Sequence, residues 1–163
     1  MKFTSFVVLL FIFSIKLEGQ SRQVLEAKLI LKFIENVEWP SEKSSRHIGV
    51  LGNSRILTEI HNKIKENQLT HTVKRINYLE EASNFDMVIV PGGRGLDVQT
   101  LLKQVEGQPI LLIAEEKKIA NMNIDICFFE EEKKLRFVIN ETNAKTKGLK
   151  FSDNLLDYAA EIN

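Results

Sequence analysis

The pattern of apolar and polar residues predicts helices that alternate with short, buried strands. The clearest stretch is the apolar run Met-Val-Ile-Val at residues 87–90, which lies between Asp86 and a Pro-Gly-Gly break. A short apolar run closed by turn residues is typical of a strand that is covered on both faces. Because such a strand needs helices above and below it, the run predicts a mostly parallel α/β sheet.

Further segments continue this alternation along the chain. Helices are predicted over residues 21–37, 54–64, 96–105, 142–147 and 152–162, and strands over residues 47–52, 72–76, 110–114, 124–129 and 135–139. Lys74 and Arg75 indicate that the strand at 72–76 forms an edge of the sheet, because charged side chains suit an edge. The last two strands flank the charged residues 130–134 and predict a hairpin, so the sheet is expected to end antiparallel.

The amino-terminal residues have the pattern of an export signal. Lys2 precedes an almost wholly apolar run over residues 3–15, and Lys16 and Glu18 follow it. A bilayer-spanning helix needs about 20 apolar residues, and this run is shorter. We expect a cleaved signal peptide over residues 1–19, a periplasmic location and one domain over residues 20–163. The alternatives are an uncleaved anchor and a buried core helix.

Composition and charge fit a globular domain that does not bind nucleic acid. The chain is 44% apolar and 27% charged, and its formal net charge is zero. A neutral chain has no reason to favour nucleic acid or an anionic membrane surface. The single cysteine, Cys127, cannot form an internal disulfide and is predicted to be a small core residue.

The first helix and the residues that end it suggest a contact with another protein. Its two apolar stripes, one of which contains Phe33, form a broader surface than one sheet face requires. Either the chain itself or a partner subunit covers this surface. Pro40 ends the helix, because it disfavours helical geometry at Trp39. Trp39 is interpreted either as a core anchor or as an aromatic interface contact.

A glycine-rich turn follows the strand at residues 87–90. Its sequence is Pro91, Gly92, Gly93, Arg94 and Gly95. Free backbone amides in such a turn can bind a phosphate or a carboxylate, so Gly92 to Gly95 form a candidate anion seat. The pattern matches neither common phosphate-binding motif, and the alternative is a tight strand-to-helix turn.

Residues 88–93 also look like the strand and turn of the DJ-1/PfpI superfamily. Those enzymes carry a nucleophilic cysteine after the following strand, here predicted at residues 110–114. In this chain Glu115 and Glu116 stand there, and Cys127 lies in the hairpin. This enzyme hypothesis therefore lacks its nucleophile.

No other set of residues predicts catalysis, a cofactor or a metal. The histidines have no metal-ligand spacing. Adjacent carboxylates, as in Glu115–Glu116 and residues 130–132, are not expected to converge on one point and are interpreted as solvated faces.

Both ends of the expected mature chain resemble the YfiR-like family of exported bacterial proteins. The resemblance is carried by Ala27, Phe33, the Val-Glu-Trp-Pro motif at 37–40, the strand at 48–52, the motif Leu-Arg-Phe-Val-Ile-Asn at 135–140, Ala144, Gly148–Leu149 and residues 152–159 with their Leu-Leu pair. Their order and spacing agree over residues 24 to 160. The family's paired cysteines are missing, and the turn at 91–95 is not typical of it.

The resemblance implies a Rossmann-like, three-layer α/β domain in the periplasm that is often dimeric and has no catalytic activity. Family members inhibit an inner-membrane diguanylate cyclase by binding its periplasmic part, and an OmpA-like lipoprotein can sequester them. The implied role is control of cyclic-di-GMP signalling and biofilm formation, with Phe33, Trp39 and Pro40 as candidate partner contacts. The alternatives are a sensor histidine kinase as partner and a periplasmic anion sensor.

Overall fold

The computed structural model describes residues 21–120 and 122–162. The predicted signal peptide lies outside the described residues. No helix in these two ranges has the length and apolar character needed to cross a membrane.

Helices and short strands alternate along the described chain. The helices are α1 (Arg22–Glu35), α2 (Arg55–Glu66), α3 (Val98–Gln104), α4 (Glu141–Thr146) and α5 (Asp153–Tyr158). The strands are β1 (Val37–Glu38), β2 (His47–Leu51), β3 (Thr72–Ile76), β4 (Met87–Val90), β5 (Leu111–Ala114), β6 (Ile126–Glu131), β7 (Lys134–Ile139), β8 (Lys150–Phe151) and β9 (Glu161–Ile162). Serine side chains cap two of the helices, since the backbone N–H of Ile56 donates to Ser54 Oγ and that of Leu155 to Ser152 Oγ.

Seven strands form the main sheet in the order β3-β2-β4-β5-β6-β7-β9. The first five strands in this order run parallel, and β7 runs antiparallel to β6. The predicted α/β class, the mostly parallel sheet, the edge position of β3 and the hairpin are therefore confirmed. The order places the change in winding direction between β2 and β4, which makes the fold doubly wound.

The carboxyl end of the chain differs from the sequence prediction. Residues 152–162 do not form one helix, because α5 ends at Tyr158 and the chain turns extended at Ala159. The backbone N–H of Ala160 then donates to the carbonyl of Phe137 at 2.8 Å, and β9 pairs parallel to β7. The sheet thus ends on a parallel edge strand, because pairing with β7 outweighs the helical pattern of the sequence. Ile162 is half-exposed rather than on an inner helix face.

The sheet separates two apolar layers. Met87 and Ile89 of β4 pack on the face covered by α1 and α2, whereas Val88 and Val90 pack on the face covered by α3. All four side chains are fully buried. Each is expected to contribute about 1.5–3 kcal/mol by its removal from water. The two-sided burial predicted for this strand is confirmed.

A small second sheet, which the sequence did not predict, ties α1 to the carboxyl-terminal part of the chain. β1 and β8 pair antiparallel, with Val37 opposite Phe151. Ser152 adds a backbone hydrogen bond to the carbonyl of Asn36 at 2.9 Å and a side-chain hydrogen bond to its Oδ1 at 3.0 Å. Two-residue strands leave no periodic signal in a sequence, so only the fold reveals this pairing.

Candidate interaction sites

Phe33 lies in the core and not on a partner surface. Its side chain is 0% exposed. Its ring stacks on Phe128 at 5.7 Å between centroids and meets Phe137 edge-on at 5.2 Å. The prediction that Phe33 contacts a partner is corrected, because α1 turns this side chain onto β6 and β7.

The apolar surface of α1 is covered mostly by the chain itself, and its remaining part borders a groove. Leu29 is half-buried and lies one helical turn before Phe33. A groove of about 450 Å³ lies here. Its lining includes Leu29 and Phe33 of α1, Leu135 and Phe137 of β7, and Leu155 of α5. The sequence suggested an unpaired apolar surface here but could not show that β7 and α5 form its other walls.

Trp39 and Pro40 lie beside the small second sheet. The guanidinium of the buried Arg46 lies 4.5 Å from the centre of the half-buried Trp39 ring, a cation–π contact. Trp39 Nε1 is buried and has no hydrogen-bond partner. Pro40 is exposed, and its ring lies close to Gly148. A Cβ atom added to that glycine would lie 3.1 Å from Cγ of Pro40. Trp39 is therefore largely an internal anchor, and Pro40 is the more accessible of the two.

The glycine-rich turn after β4 is not open to an external anion. The backbone N–H of Gly92 donates to Glu115 Oε2 at 2.9 Å, and that of Gly93 donates to Glu116 Oε1 at 2.6 Å. Arg94 pairs with Asp97 at 2.5 Å, and the short 3₁₀ turn begins at Gly95. The candidate anion seat is corrected: two of its amides bind the carboxylates that follow β5, and the Arg94 amide donates to the carbonyl of Pro91 at 3.3 Å.

Glu115 and Glu116 also correct the prediction that adjacent carboxylates stay apart. β4 and β5 are parallel neighbours, so their carboxyl ends meet at one edge of the sheet. Both side chains turn back onto the glycine turn there. Lys118 at 2.6 Å, followed by the Gly93 amide, lowers the pKa of Glu116, so this carboxyl is ionised.

A third carboxyl, Glu26 of α1, completes this cluster. Glu26 is 0% exposed, and its Oε1 pairs with Arg22 Nε at 2.7 Å. Its Oε2 and Glu115 Oε1 are both buried, and the two side chains share a hydrogen bond when Glu26 is protonated. Burial, and then the charge of Glu115, raise the pKa of Glu26 to about 8, so this side chain is mostly protonated at neutral pH. Arg22 Nη2 also donates to the backbone carbonyl of Glu115 at 2.7 Å.

Sequence reasoning missed Glu26, although a signal was present. In the sequence, Glu26 is one of the polar residues that interrupt the apolar stripes of the first helix. Helical spacing places it one turn before Ile30, on the stripe that continues to Phe33 and Val37. A carboxyl in line with core residues is rare unless it is paired or neutral. That spacing could have identified Glu26 as a buried acid.

A second buried charge network has a structural role. Asp125 Oδ2 accepts from Lys147 Nζ at 2.5 Å and from the backbone N–H of Leu112 at 2.7 Å, and Asn143 Nδ2 donates to Oδ1 at 2.6 Å. These bonds join β5, the start of β6 and α4. Burial raises the pKa of Asp125, against the opposing effect of the Lys147 charge.

Cys127 is a buried core residue, as predicted. Burial, with a smaller effect of Asp125, raises the pKa of its thiol to about 12. The thiol is therefore protonated and a poor nucleophile. Within residues 21–120 and 122–162, no group of three or more His, Cys, Asp or Glu side chains is arranged to hold a metal ion.

The fold defines the class of protein, and the comparison with family models defines the family. The doubly wound sheet with its carboxyl-terminal hairpin is that of a Rossmann-like α/β domain. Residues 23–160 match the model of the YfiR/HmsC-like family, and the chain belongs to this family. The resemblance carried by the motifs at both ends of the chain is confirmed.

Solved structures share this fold at low sequence identity. One is the ABC domain from Streptococcus pneumonia in complex with L-Trp, with a TM-score of 0.60 and 13% identity over 86% of this chain and 60% of that one. Another is a conserved domain protein from Vibrio cholerae O1 biovar El Tor strain N16961, also with a TM-score of 0.60 and 13% identity, over 88% of this chain and 60% of that one. The chain therefore spans less than two thirds of either structure, and the likeness shows the fold. No match was found among curated proteins.

The family gives the chain a regulatory context. The YfiR/HmsC-like family is a regulatory and non-enzymatic family that interacts with membrane-bound signalling proteins. Membership supports a regulatory role that is linked to cyclic-di-GMP signalling.

Proposed function

We propose that the chain is an exported periplasmic protein that binds the periplasmic part of an inner-membrane diguanylate cyclase and inhibits that enzyme. The family match over residues 23–160 carries the proposal, because it covers nearly the whole described domain. Binding would lower cyclic-di-GMP and thereby limit biofilm formation.

The proposal is tested in cells that make the cyclase together with this chain. We expect the intracellular cyclic-di-GMP concentration, measured by mass spectrometry, to fall several-fold when the full chain is present. The control is a chain without residues 2–19, which should stay in the cytosol and leave the concentration unchanged. An unchanged concentration with the full chain would argue against inhibition, and equal inhibition by the shortened chain would argue against a periplasmic site.

Trp39 and Pro40 remain the proposed partner contacts from the family's Trp-Pro signature. Pro40→Glu places a charge on an exposed position and should weaken binding to the purified periplasmic part of the cyclase at least tenfold by calorimetry. Pro109→Glu is the matched control, because Pro109 is equally an exposed proline but precedes β5. Equal affinities of the two variants would remove Pro40 from the interface.

Other possible partners of this surface can be tested in related experiments. A sensor histidine kinase is the alternative membrane partner, and its phosphorylation level then replaces cyclic-di-GMP as the readout. An OmpA-like lipoprotein that sequesters the chain should restore the cyclic-di-GMP concentration when it is added to the cells. A homodimer, if it forms, should appear in sedimentation of the purified chain.

A further inference from the structure

One edge of β7 is only partly paired. β7 pairs with β6 along its whole length, whereas β9 pairs with it only at Val138 and Ile139. Ala160, just before β9, donates its N–H to the carbonyl of Phe137 at 2.8 Å. Among the described strands, none pairs with this edge over residues 134–136. A stretch of three residues next to the hairpin turn is therefore open to a further strand.

The backbone of Leu135 points out of this open edge. In an antiparallel pair, alternate residues turn both the N–H and the C=O away from the partner strand. The carbonyl of Phe137 points toward Ala160 and thus away from β6. Leu135 lies two residues earlier, so its N–H and C=O point the same way. An unpaired strand edge of this kind is a template for another extended segment.

On one face of the sheet, the open edge borders the apolar groove. The side chains of Leu135 and Phe137 lie on this face, and Leu29, Leu155 and Ala159 are among the other apolar residues that line the groove. The volume of about 450 Å³ lies in the range of ligand-binding pockets. A residue paired opposite Leu135 could place an apolar side chain in the groove.

On the other face, the same edge carries two exposed cations beside one carboxylate, because Glu131 of β6 lies opposite Lys134 and 4.0 Å from Arg136 Nε. Lys134 and Arg136 are exposed and alternate with the groove-facing residues. Arg136 is paired with Phe129 across the hairpin, and Lys117 Nζ lies 4.4 Å from the centre of the Phe129 ring. A residue paired opposite Lys134 or Arg136 would be favoured if it carried a carboxylate.

The chain's own β9 already shows this pattern farther along the edge. Glu161 lies opposite Val138, and its carboxylate pairs with Lys117 at 2.5 Å. Ile162 lies opposite Ile139 and thus on the groove face. Within the molecule, this edge therefore pairs with a strand that has an acidic residue on one face and an apolar residue on the other.

We propose that the edge of β7 at residues 134–136 binds an extended segment of a partner protein in which acidic and apolar residues alternate. The segment adds a strand to the sheet, its backbone pairs with Leu135, its apolar side chains enter the groove and its carboxylates face Lys134 and Arg136. Such strand addition takes affinity from the main chain and specificity from alternate side chains. The inference rests on the proposed regulatory function and names a docking surface for it.

The test uses the purified chain from residue 20 onward and synthetic peptides. The first probe is a fluorescent ten-residue peptide of alternating glutamate and leucine, and the second contains the same residues in two blocks. By fluorescence anisotropy, we expect the alternating peptide to bind at least tenfold more tightly. N-methylation of all leucines, or of all glutamates, blocks opposite edges of the peptide, so only one of these two isomers should keep its affinity.

Charge reversal on the protein separates this surface from general attraction. The double variant Lys134→Glu/Arg136→Glu should weaken binding of the alternating peptide at least tenfold. The control Lys65→Glu/Lys103→Glu has the same net charge, changes exposed lysines on α2 and α3, and should bind like the wild type. Circular dichroism shows whether both variants keep the fold.

Three results would overturn the proposal. These are equal binding of the alternating and block peptides, equal binding of both N-methylated isomers, and unchanged binding after charge reversal at β7. Sedimentation covers a fourth result, in which the peptides do not bind and the wild type forms a dimer that charge reversal disrupts. The edge would then bind a second copy, and the proposal would be wrong. The peptide-binding experiments contain no membrane partner. A negative result in them therefore does not decide the outcome of the cyclic-di-GMP experiment.

Discussion

At the scale of single residues, Glu26 is the side chain whose state depends most on the fold. It lies in the first turns of α1, buried, with one oxygen bound to Arg22 and a hydrogen bond to the side chain of Glu115. The usual pKa of 4.5 is raised to about 8 by burial and by Glu115. The folded protein thus keeps a proton that the unfolded chain releases at a much lower pH.

This proton predicts the direction of a pH effect on stability. Between about pH 4.5 and 8 the folded state binds more protons at Glu26 than the unfolded state does. Glu26 should therefore lower the protein's free energy of unfolding as the pH rises through this range, by up to about 1.4 kcal/mol per pH unit. This contribution should level off above pH 8. Urea unfolding at pH 5, 6.5 and 8 measures the slope.

Glu26→Gln should reduce this slope, leaving the part that comes from the raised pKa of Asp125, and should stabilise the protein at pH 8, because the amide stays neutral there. Glu106→Gln, at an exposed position, serves as the control and should keep the wild-type slope. A Glu26→Gln variant with the wild-type slope would show that another group takes up the proton.

At the scale of elements, the carboxyl ends of β4 and β5 form one unit. The amides of Gly92 and Gly93 bind Glu115 and Glu116, and α1 closes over them with Arg22. The turn has the local features of an anion site, because the N–H groups of Gly92 and Gly93 donate to carboxylates and not to backbone carbonyls. Its anions are part of the same chain, so the element locks two strand ends together.

This arrangement predicts how the turn responds to phosphate. The melting temperature of the wild type should not rise in millimolar phosphate, measured against chloride at equal ionic strength. In the variant Glu115→Ala/Glu116→Ala the amides lose their internal partners, and phosphate should raise the melting temperature. At one hundred times its dissociation constant the added stability is about 2.7 kcal/mol. A rise in the wild type would show that the internal carboxylates yield to an external anion.

At the scale of the whole molecule, a single sheet carries the core on both faces. The small β1–β8 sheet is continued by the hydrogen bond between Ser152 and Asn36, and it packs Val37 and Phe151 into the same apolar layer as α1. Two apolar layers that share one sheet should lose their packing together.

Unfolding is therefore expected to be cooperative over the domain. Trp39 is the only tryptophan, so its fluorescence reports on the corner beside the small sheet, whereas far-ultraviolet circular dichroism reports on the helices and the main sheet. The two urea transitions of the chain from residue 20 onward should have the same midpoint. A lower midpoint by fluorescence would show that this corner opens separately.

The fold class could be predicted from the sequence because its signals are local. The apolar run of β4, the charges of β3 and the alternation around the turn of the β6–β7 hairpin each lie within a few neighbouring residues. Short strands such as β1, β8 and β9 lack such a signal. For residues 161–162, pairing with β7 outweighed a pattern that predicted helix.

What the sequence by itself determined is thus the order of the longer helices and strands, the α/β class and, through motifs at both ends, the family. Only the tertiary structure decided that Phe33 is enclosed, that Glu26 meets Glu115, that the glycine turn holds carboxylates from the next strand and that β7 leaves an edge beside a groove. The physical reason is range. Helix and strand patterns depend on residues a few positions apart, whereas burial, pKa and an open edge depend on groups that only folding brings together.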